Sequence, residues 1–237
     1  MISEFGVYAR LGLEHILDPR GYDHLLFILV LAIMYRPRAW RQVVVLVTAF
    51  TVGHSATLAL ATFGRVRLAS EWVEFWIPVT ILATALFNIA EVWWSRRHPR
   101  TAGSTTVGPT PTVAGGLHGE QRDGPRGSAP SDWDDALEPS GGRRAKYALA
   151  LVFGLIHGLG FSSFLRAALG AGASIVGPLF AFNIGLELGQ ILIVALVLGV
   201  TGLVTGPLGW SRRRWVVGVS GATALLAVYI VGTRLPF

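Results

Sequence analysis

Ser174-Ile-Val-Gly-Pro-Leu-Phe-Ala-Phe-Asn-Ile-Gly-Leu-Glu-Leu-Gly-Gln-Ile-Leu-Ile-Val-Ala-Leu-Val-Leu-Gly-Val-Thr-Gly-Leu-Val204 holds one charged residue, Glu187, in 31 positions. A run of 18 or more apolar residues is the signature of a transmembrane helix. At 1.5 Å per residue this one is about 46 Å long, enough to cross a bilayer core of about 30 Å. Reading outward, five more apolar runs appear, at about 22–36, 41–63, 72–95, 146–168 and 213–233. Composition agrees. The 237 residues are 52% hydrophobic and 14% charged, and the mean hydropathy is +0.53. Soluble domains carry about 25% charged residues, so too little charge is present to cover a globular surface. The expected fold is an all-α integral membrane protein of about six transmembrane helices. The first run is short for a span. The segment before it, 5–16, is amphipathic and is expected to lie on the membrane surface or to extend the first helix.

Residues 97–143 break the pattern. They are rich in Gly, Pro, Ser and Thr and too poor in apolar residues to bury a core, so a disordered cytoplasmic linker is expected there. It separates helices 1–3 (residues 1–96) from helices 4–6 (144–237), a 3+3 arrangement with no recognisable internal repeat. With the N-terminus placed outside, inner segments hold 14 Lys and Arg and outer ones 6. Leaving out Arg122 and Arg126 of the linker still gives 12 to 6. The positive-inside rule therefore puts both termini on the outer face. Met1-Ile2-Ser3-Glu4 lacks a basic n-region followed by an apolar core, so no cleaved signal peptide is expected. The formal net charge of +6 does not indicate nucleic acid, because the basic residues sit in short segments between apolar runs. Zero cysteines exclude disulfides, thiolate metal sites and thiol catalysis. They turn any metal chemistry toward borderline or hard divalent ions.

Ionisable side chains at the centre of a bilayer cost about 2.5–3.5 kcal/mol on insertion scales, so each needs a reason. The candidates are Asp23 and His24 in the first run, His54 in the second, Glu74 in the third, His157 in the fourth and Glu187 in the fifth. Counting rise per residue puts His54, His157, Asn183 and Glu187 roughly 13–20 Å below the outer face, near one depth. Asp23, His24 and Glu74 fall near the outer mouth. Asn183, Glu187 and Gln190 recur at i, i+4 and i+7 and share a helix face. Gly185 and Gly189 form a GxxxG in the fifth run, and Gly154 and Gly158 form another around His157. Such pairs let helices approach closely, which would let the fourth and fifth helices present His157 and Glu187 to each other. Bland roles compete. A lone intramembrane His is often a helix-to-helix hydrogen bonder, glycine pairs are often only packing devices, and Thr51, Ser55 and Thr57 are expected to bond back to helix carbonyls. Three intramembrane histidines and a carboxylate at matching depth outweigh packing alone and read as a polar site.

Four segments carry a family resemblance: His15-Ile-Leu with Asp23-His-Leu-Leu-Phe27, Phe50-Thr-Val-Gly-His-Ser-Ala-Thr-Leu58, Phe153-Gly-Leu-Ile-His-Gly-Leu-Gly-Phe161, and Phe182-Asn-Ile-Gly-Leu-Glu-Leu-Gly-Gln190. In these the chain resembles the HupE/UreJ family of bacterial membrane proteins, whose members are regarded as secondary permeases for nickel or cobalt. The resemblance implies metal contacts at Asp23, His24, His54, His157 and Glu187, and residence in the bacterial cytoplasmic membrane. It matches His15 to the family's leading histidine. Seven residues instead of the family's five separate His15 from Asp23, and Pro19 and Gly21 among them should break the helix.

The first functional reading is thus a transporter, not an enzyme: a permease for a divalent ion, nickel or cobalt as substrate. Asp23 and His24 would capture the ion, and His54, His157 and Glu187 would hold it at depth. His15, Glu74, Asn183, Gln190 and Ser55 would serve as orienting or pathway residues. Its partners would be the metal ion and the lipid bilayer, with no nucleic acid. The alternative is an intramembrane zinc hydrolase on the same cluster, with Asp23 or Glu187 as base and Ser55 at the oxyanion. It requires three histidine nitrogens converging about 2.1 Å from one point. A third reading is a haem held between His54 and His157.

Overall fold

Proline and glycine decide where the first helix stops. In the computed structural model, which describes residues 4–66, 69–97, 143–160 and 176–235, α1 spans Glu4–Leu17 and α2 spans Tyr22–Ala32, with a 3-10 turn Pro19–Gly21 between them. Pro19 fixes its own φ and lacks an N–H. It also pushes the preceding residue out of the helical region, and Asp18 stands at φ −63°, ψ 118°. The Asp18 carboxylate then accepts from the Arg20 amide at 2.9 Å, capping the turn. A second 3-10 turn, Pro37–Ala39, leads into α3, Trp40–Thr62. The remaining helices are α4 Ser70–Arg97, α5 Arg143–Gly160, α6 Val176–Thr205 and α7 Arg212–Thr233. The described residues are all-helical, with no strand.

Four helical stretches are long and apolar enough to cross a membrane: Pro37–Thr62, Ser70–Ser95, Val176–Thr205 and Arg212–Thr233. Tyr147–Gly160 is apolar but shorter. The continuation of the fourth apolar run past Gly160, and nearly all of the expected linker (98–142), lie outside the described residues. The first run does not form one long helix. It is α2 followed by the Pro37 turn.

Contacts fix the directions. Gly12 of α1 abuts Phe182 and Leu186 of α6, and Gly189 abuts Ile16, so α1 and α6 run parallel. Gly53 of α3 abuts Leu151 and Leu155 of α5, and Gly158 abuts His54 and Thr57, so α3 and α5 are also parallel. Phe27 meets Phe50 and His24 meets His54, which makes α2 antiparallel to α3. On α7, Arg234 reaches Asp23 while Arg212 reaches the Met34 carbonyl, so α7 is antiparallel to α2. Asn88 donates to the Val30 carbonyl at 2.6 Å and lies 3.4 Å from Ser220 Oγ, tying α4 to α2 and α7. Helices α1, α2, α4 and α6 therefore run one way and α3, α5 and α7 the other. Arg36, Arg38, Arg41, Arg97, Arg143 and Arg212 to Arg214 all gather at one end of the bundle.

The glycines make the two parallel pairs. A Cβ at Gly185 would collide with the Ala9 carbonyl, one at Gly12 with Phe182, and one at Gly154 with Phe50. The expectation that the glycine faces of the fourth and fifth runs meet each other is thereby corrected. The first packs on α3 and the second on α1, because each finds a backbone it can approach at glycine spacing. The outer surface is apolar, with Leu196, Leu225 and Tyr229 exposed. Exposed Trp72 and Trp76 lie at one end of the bundle and exposed Trp40, Trp93, Trp94 and Trp210 at the basic end. Tryptophans at both ends form the two belts of a membrane-spanning bundle. The chain is a multi-pass membrane protein.

Candidate functional site

The break between α1 and α2 places a histidine on each side of it. His15 closes the last turn of α1 and His24 opens the first turns of α2, with ring centroids 4.9 Å apart. The close α3–α5 pair brings in two more. Gly158 seats the α5 backbone on the His54 carbonyl, and His157 is its neighbour. His24 lies 6.0 Å from His54 and 5.4 Å from His157, and His15 lies 6.2 Å from His54, all between centroids. Four helices thus contribute one imidazole each. His24, expected at the outer mouth with Asp23, belongs instead to the deep cluster. His15, on the far side of the break that Pro19 and Gly21 were expected to make, joins it too.

The surroundings are dry. His54 has no exposed surface. Phe27 packs on His157 at 5.3 Å, Phe50 on both His157 and His54 at 5.2 and 6.0 Å, and Phe182 on His15 at 5.7 Å. Inside this shell His157 Nδ1 lies 2.9 Å from the Phe153 carbonyl. A carbonyl only accepts, so Nδ1 carries the proton and Nε2 keeps its lone pair. That Nε2, both ring nitrogens of His54 and His24 Nε2 are buried and find no hydrogen-bond partner among the described residues. Each such group costs about 1–3 kcal/mol, a cost a purely structural cluster would have no reason to carry.

Two imidazoles sharing one tetrahedral ion, at about 2.0–2.1 Å, set their centroids about 5 Å apart, and the separations here bracket that value. Orientation is another matter. Among the described residues no group of three or more His, Asp and Glu converges as a ligand set. The rings stand at ligand spacing without being locked into ligand orientation. The hydrolase reading required such convergence and gains no support. Its oxyanion candidate, Ser55, donates back to the Thr51 carbonyl at 2.7 Å. A haem has no room between His54 and His157, because Phe50 and His24 each pack against both rings.

The acidic and amide residues of α6 face α3 on the basic side of the cluster. Thr48 donates to Glu187 Oε1 at 2.5 Å, and Thr51 donates to Gln190 Oε1 at 2.7 Å. Thr48 and Thr51 also bond back to Val44 and Val47. Thr51 is one helical turn from His54 and Thr48 nearly two, so a polar seam runs from the histidines toward the basic end. Glu187 Oε2 and Asn183 Oδ1 are buried in it without a partner among the described residues. Glu187 is reached through Thr48 and not through His157, as the glycine pattern had suggested.

Asp23 faces the other way. Its Oδ2 accepts from Arg234 Nη1 at 3.0 Å, and Arg234 Nη2 donates to the Tyr22 hydroxyl at 3.2 Å. Burial works against the Arg234 charge. Asp23 and, more weakly, Tyr22 and Glu74 more than offset it, and the guanidinium pKa is raised. Glu74 itself is exposed.

A family model described as HupE / UreJ protein matches residues 1–108 and 135–234. The chain belongs to the HupE/UreJ family. No curated protein and no solved structure gives a significant match. The match includes all four helices that carry the histidines, so the cluster lies within the family region. Sequence reasoning in this HupE/UreJ chain missed three features around the cluster: the bonds from Thr48 and Thr51 to Glu187 and Gln190, the Arg234–Tyr22 clamp, and the phenylalanine shell. The threonines had a signal, since Thr48, Thr51 and Ser55 recur at helical spacing on the histidine-bearing helix. Arg234 had none, because 211 positions separate it from Asp23.

Proposed function

We propose that this chain is a secondary permease that carries a divalent transition-metal ion, nickel or cobalt, across the bacterial cytoplasmic membrane. The observation that carries the reading is the cluster of His15, His24, His54 and His157, in which both nitrogens of His54 and the Nε2 atoms of His24 and His157 are buried and find no hydrogen-bond partner among the described residues. Imidazole nitrogens suit Ni(II) and Co(II). Membership in the HupE/UreJ family supports the same class of substrate. A path needs sites that bind and also release, and imidazoles at ligand spacing without a converging ligand set have that character.

In this reading α1 and α2 count together as one discontinuous first span, and six spans in a 3+3 arrangement place both termini on the extracytoplasmic side. The basic end is then cytoplasmic. The ion passes Asp23, is held transiently by the four imidazoles, and moves along the seam of Glu187 and Gln190 toward the cytoplasm. Protein purified into liposomes should take up Ni(II) or Co(II), and His157→Ala should abolish uptake. Wild type that moves neither ion, or a His157→Ala variant as fast as wild type, refutes the reading.

A further inference from the structure

Arg234 is the cation already sitting on Asp23, the acidic residue next in sequence to His24. It lies just past α7 and spans to the first turn of α2, where it holds Asp23 Oδ2 at 3.0 Å and the Tyr22 hydroxyl at 3.2 Å. The side chains of the pair are 25% and 13% exposed, so it is shielded but within reach of solution. Asp23 neighbours His24, whose ring belongs to the cluster. Any cation approaching the imidazoles past Asp23 meets this pair first.

Two details separate it from a plain structural clamp. An Arg–carboxylate pair reaches full strength as a two-pronged fork. Here only one nitrogen engages the carboxylate, and the other is spent on Tyr22. Asp23 Oδ1 is buried without a hydrogen-bond partner among the described residues, so the carboxylate keeps coordinating capacity that the arginine does not use. In addition Glu74, exposed at the same end, adds a weaker pull on the Arg234 charge.

We infer that Arg234 is a tethered competitor for Asp23, a built-in monovalent cation that an arriving divalent metal ion must displace before it reaches the histidines. The inference rests on the permease reading. Exchange sets a threshold of charge. A sodium ion gains no more from Asp23 than the guanidinium does, whereas a divalent ion gains about twice the coulombic attraction. Arg234 thereby acts as a selectivity residue through Asp23, without touching the ion.

The test is the dependence of liposome uptake on Ni(II) concentration. If only the fraction of molecules with the arginine displaced is competent, the apparent affinity is lowered by that fraction. Arg234→Gln should then lower the half-saturating Ni(II) concentration about fivefold, the scale on which a partly exposed ion pair competes, with the maximal rate held. Arg234→Lys, which keeps the charge but loses the planar fork, should fall between. Sodium should raise the half-saturating concentration of Arg234→Gln above its value in choline at equal ionic strength, and should not do so for wild type. An unchanged or raised half-saturating concentration in Arg234→Gln, with only thermal stability lost, overturns the inference and leaves a structural tie. If that variant does not fold, Tyr22→Phe removes one of the two restraints, and a shift of about twofold in the same direction is expected; no shift overturns the inference. Wild type that takes up no Ni(II) at all refutes the permease reading and this inference with it, whereas active wild type with indifferent variants refutes the inference alone.

Discussion

His15 and His24 stand on opposite sides of a helix break, nine positions apart in sequence, with their ring centroids 4.9 Å from each other. In one continuous helix the same two residues would be separated by about 13.5 Å of rise. Pro19 and Gly21 are therefore what assembles half of the cluster. Replacing both with alanine removes the obstacles to a continuous helix. Metal uptake in the double variant should fall at least about tenfold, the range seen when residues supporting a metal site are lost, while circular dichroism shows equal or greater helix content. Undiminished uptake would show that the break is incidental.

The four imidazoles come from four helices, so each should be needed. Single replacements of His24, His54 and His157 by alanine should each weaken Ni(II) binding by about tenfold or more, read by isothermal titration in detergent. The His54 change tests the point most directly, since His54 is wholly buried and neither nitrogen has a hydrogen-bond partner among the described residues. As a bare structural residue it would tolerate exchange for an apolar side chain of similar volume. His54→Leu should then keep the melting temperature and lose the metal.

Gly185 lets α1 lie directly on α6, and a Cβ there meets the Ala9 carbonyl. Gly185→Ala should cost about 1–3 kcal/mol, as overpacking does, and should draw His15 away from the cluster. Gly221→Ala, inside α7 and with its new methyl meeting open space, should instead stabilise by about 0.4–1 kcal/mol through helix propensity. Thermal unfolding of the two variants side by side tests whether the glycine contact, and not helix propensity, holds the pair together.

Thr51 donates to Oε1 of the buried Gln190 at 2.7 Å. Hydrogen bonds between membrane helices are worth about 0.6 kcal/mol on average and reach about 1.7. Thr51→Val should cost within that range and Gln190→Leu a similar amount, and the double variant should cost less than their sum. Strict additivity in the double-mutant cycle would mean that the two do not interact.

Much of this was legible in sequence, and what was not has a common cause. Apolar run length marked the long helices, and ionisable residues within apolar runs singled out His24, His54, His157 and Glu187 as candidates. Basic residues marked one end. All of these are properties of single segments. A glycine pair says that some backbone comes close, but not which one, so Gly154 and Gly185 suggested each other when they pack on Phe50 and Ala9. Counting rise from a helix start also misplaced His24. Its helix begins within the bundle, after α1 has already descended beside α6, so the start of the apolar run was not the membrane surface. The break at Pro19 and Gly21 was legible, but not where it would leave His15, since a turn can fold two residues together as readily as it can part them.

The tryptophans at the two ends of α4 have a mechanical consequence. Trp72 and Trp93 are 21 positions apart, which is about 31 Å of helix, against a hydrocarbon thickness of about 30 Å. The helix is long enough to cross an ordinary bilayer with a tryptophan near each interface. Leaning is one response to a thinner one, and through the Asn88 bond to the Val30 carbonyl a leaning α4 would take α2, and with it His24, along. Acyl-chain length of the host lipid thus becomes a control on imidazole spacing, and uptake should peak where the bilayer matches the length of this one helix.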